Sequence, residues 1–338
     1  MRAFVFGAGA SLHVGYPLAR DLGRKLIDWA ASNPRPDYLH WIDPNELPGI
    51  LPSLDDFEGI ITELENPTPR GAVSKIPRWK RGSILAGFRN VLCDLFDSKR
   101  VNDALLYRQF ATEIIQPGDV VITFNYDVSL ERELRRAGKW EISKGYGFDL
   151  RLASLPPSAT ELLKLHGSTN WIDLLFGGTV GISVVGTDAL GMRPVILAQE
   201  FEFLEYPQIR DPLFNGGGVD RSGSMILPGR QKRFYVETSI GPRERGRFWT
   251  ALWRKAGTAL QQAHEIVIVG YSFLAADKRA YELVLNENNR DSNLTISCGH
   301  DNDRLVREFL RCGFARVRAD STNFEDWLAT ARARQSES

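Results

Sequence analysis

Five short apolar runs, each followed by polar or glycine-containing residues, constrain this chain more than any other feature. The runs are Ala3 to Phe6, Val120 to Phe124, Leu162 to Leu165, Ile266 to Val269 and Leu294 to Ser297. Such runs are typical of strands that are buried on both faces of a parallel sheet. Between them lie segments with helical periodicity, such as the apolar face formed by Leu18, Leu22, Leu26 and Trp29. The alternation of strands and helices predicts an α/β fold with a Rossmann-like, doubly wound parallel sheet.

Two segments interrupt this alternation and are predicted to be insertions. Residues 31–118 contain a Pro-rich stretch and then helical patterns around Phe57 to Leu64 and Ile84 to Phe96, which predicts a mostly helical insertion. Residues 169–248 contain glycine pairs, several prolines and weak strand signals at Val180 to Val185 and Pro194 to Leu197, which predicts an irregular insertion. The sheet is therefore expected to belong to one discontinuous domain, built from residues 1–30, 119–168 and 249–330.

The charge balance limits the kinds of partner this chain can attract. Its 338 residues include 42 Lys and Arg and 42 Asp and Glu, so no global field draws it to nucleic acid or to an acidic membrane. Charge is nevertheless segregated, because residues 43–65 carry seven acids and no base, whereas residues 221–255 carry nine bases and two acids. Two solvated faces would explain this pattern. Alternatively, the two patches meet in an oligomer, or the basic one binds a phosphate or a partner.

Cysteine usage and hydropathy exclude several further classes. Cys93, Cys298 and Cys312 have no close spacing, which excludes a disulfide-rich secreted domain and a four-cysteine zinc ribbon. The apolar N-terminal segment is too short and too rich in glycine for a signal peptide, and no stretch approaches the roughly 18 apolar residues of a membrane helix. The histidines lack metal-ligand spacing, so we expect no metal. These features predict a cytoplasmic protein without a membrane contact.

The turn after the first strand, Gly7-Ala8-Gly9-Ala10-Ser11, is the leading candidate for a ligand site. Glycines let backbone amides approach a diphosphate, and the N-terminus of the following helix favours the same negative charge. The fingerprint of NAD-dependent dehydrogenases requires a third glycine, where this chain has Leu12, and an acidic residue about twenty positions further on, at the end of a second strand. Asp28 lies inside a predicted helix instead. A hydride-transferring dehydrogenase is therefore disfavoured.

Polar residues also follow three other predicted strands. Asn125 and Asp127 follow the second, His166 follows the third, and Gly270, Tyr271 and Ser272 follow the fourth. Because the carboxyl ends of parallel strands meet at one edge of a sheet, we expect these residues to converge on a nucleotide site. Asn125 can hydrogen-bond a ribose or a water without adding charge, and a neutral His166 can accept a proton as a general base.

In this order, the motifs resemble the sirtuin fold, and in particular its bacterial sirtuin-like NADase branch, which is associated with phage defence. The turn from Gly7 to Ser11, followed after three residues by Gly15-Tyr16-Pro17, is similar to the sirtuin cofactor loop. The segments that resemble three further sirtuin motifs are Thr123 to Asp127, His166-Gly167 and Gly270 to Phe273. The resemblance implies a Rossmann-like sheet of sirtuin type.

Two departures from the sirtuin pattern narrow the function that the resemblance implies. Of the sirtuin Asp-Phe-Arg segment this chain keeps only Arg20, so the loop aromatic is missing unless Tyr16 takes its place. No Cys-x-x-Cys pair follows His166, so the zinc module is absent and residues 169–248 take its place in the chain. These departures disfavour a protein deacetylase, and the segment Leu165 to Trp171 looks more like the NADase branch.

The resemblance implies an NAD hydrolase that cleaves NAD to nicotinamide and ADP-ribose as the effector of a bacterial antiphage defence system. It implies Asn125 and His166 as catalytic residues, Asp127 on the nicotinamide amide, and Ser11 and Ser272 near the phosphates. The other implied cofactor contacts are Gly7, Ala8, Gly9, Tyr16, Pro17, Arg20, Gly270 and Tyr271. NAD is then the substrate and no metal is needed. The implied partners are a second copy of the chain or a defence-system protein, with an indirect link to nucleic acid.

Three other functions stay open at this stage. A non-catalytic sensor of NAD or ADP-ribose would use the same turn without turnover. A sirtuin-type protein deacylase would need a channel for an acyl-lysine. A nucleic-acid-binding or assembly subunit is supported only by the basic segment of residues 221–255.

Overall fold

The computed structural model describes residues 1–33, 56–99, 102–141, 146–147, 160–173, 196–198, 225–229, 242–273, 277–286, 290–319 and 321–336. The strands in chain order are β1 (Arg2–Phe6), β2 (Val120–Thr123), β3 (Glu161–Lys164), β4 (Trp171–Asp173), β5 (Ile196–Ala198), β6 (Glu265–Val269), β7 (Asn293–Ser297) and β8 (Arg316–Arg318). Six of them form one parallel sheet in the order β3-β2-β1-β6-β7-β8. The strands β4 and β5 form a separate antiparallel pair.

The order of the large sheet is that of a Rossmann-like fold. The chain builds outward from β1 through β2 to β3, and then returns to pair β6 on the other side of β1. This reversal between β1 and β6 creates a crevice at the carboxyl edge of the sheet, where α/β proteins bind ligands. The predicted α/β, Rossmann-like class is therefore confirmed.

The described helices surround the sheet and its loops. They are α1 (Ala19–Ser32), α2 (Phe57–Glu65), α3 (Arg78–Asp97), α4 (Leu105–Gln109), α5 (Ser129–Arg136), α6 (Pro242–Gln262), α7 (Lys278–Asn286), α8 (Asn302–Arg311) and α9 (Phe324–Ser336). Shorter 3-10 turns cover Ala8–Val14, Gly71–Lys75 and Gly299–Asp301, and a π-helical turn covers Phe110–Ile114. Among the residues that the structure describes, no helix combines the length and the hydrophobicity that a membrane crossing needs.

An aromatic cluster on one face of β1 forms the centre of the core. Phe4 and Phe6 are two positions apart on the strand, so both side chains point to the same face. Their rings contact Phe110 edge to face, with centroids 5.0 and 5.1 Å apart. Phe324 and Trp327 from α9 pack against the same rings. This packing ties the π-helical turn and α9 to the central strand.

The five strands that the apolar runs predict are all present, within one residue at each end. The sixth strand, β8, was not predicted, because an edge strand reading Arg316-Val317-Arg318 is half exposed and contains one apolar residue. Helices α2 and α3 confirm the two helical patterns, and β5 overlaps the strand signal at Pro194 to Leu197. The Pro-rich residues 34–52 and Val180 to Val185 lie outside the described residues. The division of the chain into a domain and two insertions stays a prediction.

Candidate functional site

A cavity of about 450 Å³ lies at the carboxyl edge of the sheet, where the strand order reverses between β1 and β6. The loops after β1, β2, β3, β6 and β7 all contribute to its wall. The predicted site residues that line it are Ala8, Gly9, Ser11, Tyr16, Pro17, Arg20, Asn125, Asp127, His166, Gly270, Tyr271 and Ser272. Gly7, which directly follows β1, is not part of this lining. The structure thus brings together residues that are up to 264 positions apart in the chain, from Ala8 to Ser272.

Three glycines allow the loops after β1 and β6 to touch. The amide of Gly7 donates to the carbonyl oxygen of Val269 (3.0 Å), and the amide of Gly9 donates to that of Gly270 (2.9 Å). Gly270 has a φ of +64°, and a Cβ atom there would lie 2.2 Å from the amide nitrogen of Ala10. A Cβ atom on Gly7 would lie 2.4 Å from the Tyr271 ring. In this structure the glycines therefore serve the contact between loops, and the Gly9 amide is used inside the protein.

Asn125 follows β2 and has its side-chain amide held in one orientation. Its Nδ2 donates to the carbonyl oxygen of Gly7 (2.9 Å) and to the hydroxyl of Ser11 (3.0 Å). A backbone carbonyl can only accept, so the atom that faces Gly7 must be the nitrogen. Within the part of the chain that the structure describes, Oδ1 accepts no hydrogen bond. Asn125 therefore offers the cavity a neutral acceptor.

Ser11 and Asp127 form the buried network that supports Asn125. The Ser11 hydroxyl donates to Asp127 Oδ2 (2.7 Å) and lies 2.7 Å from the hydroxyl of Tyr107. Asp127 Oδ1 accepts from the amide of Ser129 (3.0 Å). The sequence predicts Ser11 near the phosphates and Asp127 on the nicotinamide amide. In the structure the Ser11 hydroxyl and both Asp127 carboxylate oxygens hold the loops in place, although both residues also line the cavity.

Tyr16 extends the same network toward the helices. Its hydroxyl lies 3.3 Å from the Ser129 hydroxyl, and its ring packs on Phe96 of α3 with centroids 4.8 Å apart. Burial raises the pKa of Tyr16, and the nearby Asp127 carboxylate adds to the rise. Tyr16 is thus an uncharged aromatic wall of the cavity. Arg20, by contrast, lies at the cavity with 69% of its side chain exposed, 3.7 Å from Asp21.

Behind the Asp127 loop, Lys164 and Glu131 form an ion pair in which both side chains are fully buried. Lys164 Nζ donates to Glu131 Oε1 over 2.6 Å and also to the carbonyl oxygen of Asp127. Burial raises the pKa of Glu131, while the charge of Lys164 acts against this rise. Because Lys164 ends β3, the pair fastens the loop after β2 to the neighbouring strand.

His166 follows β3 and is 5% exposed. Its ring contacts Phe124 edge to face, with centroids 5.0 Å apart, and its Nε2 lies 3.5 Å from Asp277 Oδ2. The backbone of His166 is held as well, because its carbonyl oxygen accepts from the amide of Ile226 (2.9 Å). The hydroxyl of Tyr126 donates to the carbonyl oxygen of Ile226. The segment 225–229 therefore forms a wall beside the imidazole.

Tyr271 and Ser272 form the side of the cavity that follows β6. The Tyr271 ring stacks on Phe124, with centroids 4.4 Å apart and planes 9° from parallel, and its hydroxyl donates to Asp277. Burial raises the pKa of Tyr271 well above its usual range, so its hydroxyl stays a donor at neutral pH. The carbonyl oxygen of Ser272 accepts from Arg304 of α8. Both predicted residues are thus tied to neighbouring elements.

Several cavity residues were missed from the sequence, and the polar ones among them include two groups. Asp277 stands just before α7, several positions beyond the Gly270 turn. The other group follows β7 and β8 and consists of Ser297, Cys298, Gly299, His300, Asp301, Thr322, Asn323 and Phe324. The residues from Cys298 to Asp301 directly follow the fifth predicted strand, so they share the carboxyl edge with the other four strand ends. Among the described residues, no group of three or more His, Cys, Asp or Glu side chains is arranged to hold a metal ion.

Comparison with known proteins adds structural neighbours at low similarity. No family model matches the sequence, and no curated protein matches it. Similar solved structures include a sirtuin studied for its substrate affinity (12% identity, TM-score 0.38, covering 100% of this chain and 93% of that one). A Sir2 protein in complex with an inhibitor, 2′-O-acetyl-ADP-ribose and a deacetylated peptide has 14% identity and a TM-score of 0.32, covering 100% and 93%. Sir2Tm bound to a propionylated peptide has 14% identity and a TM-score of 0.31, covering 100% and 92%. At such TM-scores the function of the site has to be argued from its own geometry.

Proposed function

We propose that this protein is an NAD hydrolase that cleaves NAD to nicotinamide and ADP-ribose. The observation that carries the proposal is the fixed amide of Asn125. Its nitrogen is bound to Gly7 and Ser11, so the neutral acceptor Oδ1 remains for a ligand in the cavity that His166 also lines. An acceptor and a base beside one cavity suit a substrate with ribose hydroxyls and a reacting water.

Hydrolysis of NAD requires few catalytic groups beyond this acceptor and this base. Cleavage of the bond between ribose C1′ and the nicotinamide nitrogen passes through an oxocarbenium-like state, and the leaving group departs as neutral nicotinamide. Asn125 can accept a hydrogen bond from a ribose hydroxyl or from the attacking water without placing a cation beside the developing positive charge. His166 can take the proton that the water loses. We propose Ala8, Gly9 and Gly270 as contacts for the rest of the dinucleotide.

Nicotinamide release from NAD by the purified protein tests this proposal. We expect Asn125→Ala and His166→Ala each to lower the rate by a factor of about 10² to 10⁴. The matched controls are Asn33→Ala and His264→Ala, which change the same residue types outside the cavity and should leave the rate unchanged. Nicotinamide release that is equal in wild type, Asn125→Ala and His166→Ala would refute the proposal.

Assays on the same purified protein distinguish the hydrolase from the alternative functions, a sensor or a deacylase. Tight binding of NAD or ADP-ribose without any nicotinamide release, in every assembly state tested, would indicate a sensor. Nicotinamide release that requires an acetylated peptide would indicate a deacylase.

The proposed setting is an antiphage defence system in the cytoplasm, with the active form a homo-oligomer or a complex with a partner. Intact-complex mass measurements with and without NAD test the assembly.

A further inference from the structure

A buried carboxylate faces the predicted base. Asp277 is 6% exposed, and its Oδ2 lies 3.5 Å from His166 Nε2. The same oxygen accepts a hydrogen bond from the hydroxyl of Tyr271. A carboxylate is seldom buried to this extent unless it has partners, and here the partners are the imidazole and a phenol.

Aromatic rings hold both groups in place. Phe124 stacks on Tyr271, which binds Asp277, and it also contacts the rings of His166 and Trp253. Trp253 of α6 also packs against the His166 ring, with the two ring centroids 6.2 Å apart. Its Nε1 donates to the carbonyl oxygen of Leu165 (3.2 Å). Neither the carboxylate nor the imidazole can turn away without disturbing this packing.

We infer that Asp277 is a positioning residue for His166, a role that rests on the proposed function. A neutral imidazole carries one proton, and the nitrogen nearest the carboxylate is Nε2. At 3.5 Å the contact between Nε2 and Asp277 has the length of an ion pair and not of a hydrogen bond. When Nε2 carries the proton of the neutral imidazole, on the side of Asp277, Nδ1 carries the basic lone pair. The carboxylate also stabilises the imidazolium that forms when His166 accepts a second proton. A carboxylate, an imidazole and a reacting hydroxyl form the same sequence of groups in many hydrolases.

The step balances in atoms and charge. The bond from ribose C1′ to the nicotinamide nitrogen breaks, and its electron pair leaves with nicotinamide. The oxygen of a water forms the new bond to C1′, and the proton that this water loses goes to Nδ1 of His166. Asp277 stays ionised throughout and faces the imidazolium. No oxidant, reductant or metal is required.

The test needs a readout that belongs to His166 alone. The chain has five histidines, so the imidazole resonance of His166 can be assigned by its loss in His166→Ala. In the described part of the chain, the ionisable groups near this ring are Asp277 with its donor Tyr271, Tyr126 and, on the cavity wall, Glu58, and Arg279 stacks on Trp253. In Asp277→Asn we expect the NMR titration midpoint of His166 to fall by about 1 pH unit or more, because an opposite charge is lost at close range.

A matched control comes from the helix that Asp277 precedes. Glu282→Gln removes one negative charge from α7, where Glu282 pairs with Lys278 at the surface, and should leave the His166 midpoint unchanged. Tyr271→Phe keeps the Asp277 carboxylate but removes the hydroxyl that donates to it. Because the negative charge is then less compensated, we expect the titration midpoint of His166 to rise. A midpoint that moves in neither Asp277→Asn nor Tyr271→Phe would overturn the inference. If one of the two variants fails to fold, an unmoved midpoint in the other overturns it.

Kinetics then separate positioning from a purely structural role. In Asp277→Asn we expect kcat for nicotinamide release to fall by a factor of about 10² to 10⁴, with KM changed less than about threefold. A rise in KM without a loss of kcat would overturn the inference. A shifted midpoint in a protein whose wild type releases no nicotinamide would instead refute the proposed function and leave the Asp277–His166 relationship standing.

Discussion

The amide of Gly9 donates to the carbonyl oxygen of Gly270 over 2.9 Å, and this contact joins the loops that leave β1 and β6. These two strands are the neighbours between which the chain reverses direction across the sheet, so the contact lies at the mouth of the crevice. The cavity wall therefore depends on two glycines that are far apart in the sequence.

Replacing Gly270 by alanine should cost more than backbone strain alone. Gly270 has a φ of +64°, and its Cβ atom would lie 2.2 Å from the Ala10 amide nitrogen. The matched control is Gly138→Ala, since Gly138 has a φ of +66° with no atom within 4 Å of the added Cβ. We expect Gly138→Ala to lower the free energy of unfolding by about 1–2 kcal/mol and Gly270→Ala to lower it further. Urea denaturation measures both, and equal losses would show that the loop contact is dispensable.

Ser11→Ala should weaken both the fold and the site. The change removes the donor to Asp127 Oδ2 and one of the three acceptors that hold the Asn125 amide. A buried acceptor left without its donor costs about 1–3 kcal/mol, and a less restrained Asn125 should slow nicotinamide release. Ser83→Ala is the control, because that hydroxyl donates to a carbonyl on an exposed turn of α3. The prediction fails if urea denaturation and the nicotinamide assay give the same result for both variants.

The buried pair of Lys164 and Glu131 should show strong coupling. Lys164→Met leaves Glu131 without its cation in a fully buried position, which we expect to cost about 3–5 kcal/mol. The double variant with Glu131→Leu removes both charges, and much of the loss should be recovered. A double-mutant cycle in urea measures the coupling. If the losses in the free energy of unfolding of the two single variants simply add in the double variant, the predicted coupling is wrong.

The pH dependence of stability should include a contribution from His13. Burial lowers the pKa of His13 below its ordinary value of 6.5. Between the two pKa values the unfolded chain binds a proton that the folded chain does not, so the free energy of unfolding falls as pH decreases through this window. His13→Asn keeps a donor for the Ala10 carbonyl, which Nδ1 contacts at 2.9 Å, but it cannot be protonated.

Thermal unfolding of both proteins from pH 7.5 to 5.5 tests this point. The wild type should lose more stability on acidification than His13→Asn, because every other group titrates alike in the two proteins. Parallel pH profiles would mean that His13 does not contribute.

The cysteines should differ sharply in reactivity. Burial raises the pKa of Cys298 to about 12, and its thiol donates to the carbonyl oxygen of Tyr271 (3.3 Å). Cys93 is buried, whereas Cys312 is exposed. Since the thiolate is the reactive form, iodoacetamide should alkylate Cys312 first and Cys298 slowly. Intact mass measurements on the wild type and on Cys312→Ser check this. Rapid alkylation of Cys298 in the Cys312→Ser variant would contradict the prediction.

Local patterns were sufficient to predict five of the six strands of the large sheet. A run such as Ile266 to Val269 is buried on both faces wherever it is placed in a parallel sheet, so its composition identifies it as a strand. The edge strand at Arg316 has no such requirement and was missed. The same rule placed Asn125, His166 and Tyr271 at one edge, because parallel strands present their carboxyl ends together.

By itself, then, the sequence determined the five buried strands, their parallel arrangement and most of the polar residues at the carboxyl edge. Only the tertiary structure decided which atoms of those residues remain for a ligand. Gly7 and Ser11, which orient Asn125, are 118 and 114 positions away from it in the chain. Asp277, which faces His166, comes from the segment after β6, whereas His166 follows β3. Hydrogen bonds of this kind depend on distances between loops, which periodicity within one segment does not record. For this reason Asp277 was missed, and the hydrogen bond that links Ser11 to Asp127 beside Asn125 was not foreseen. The ligand contacts of Ser11 and Asp127 stay predictions.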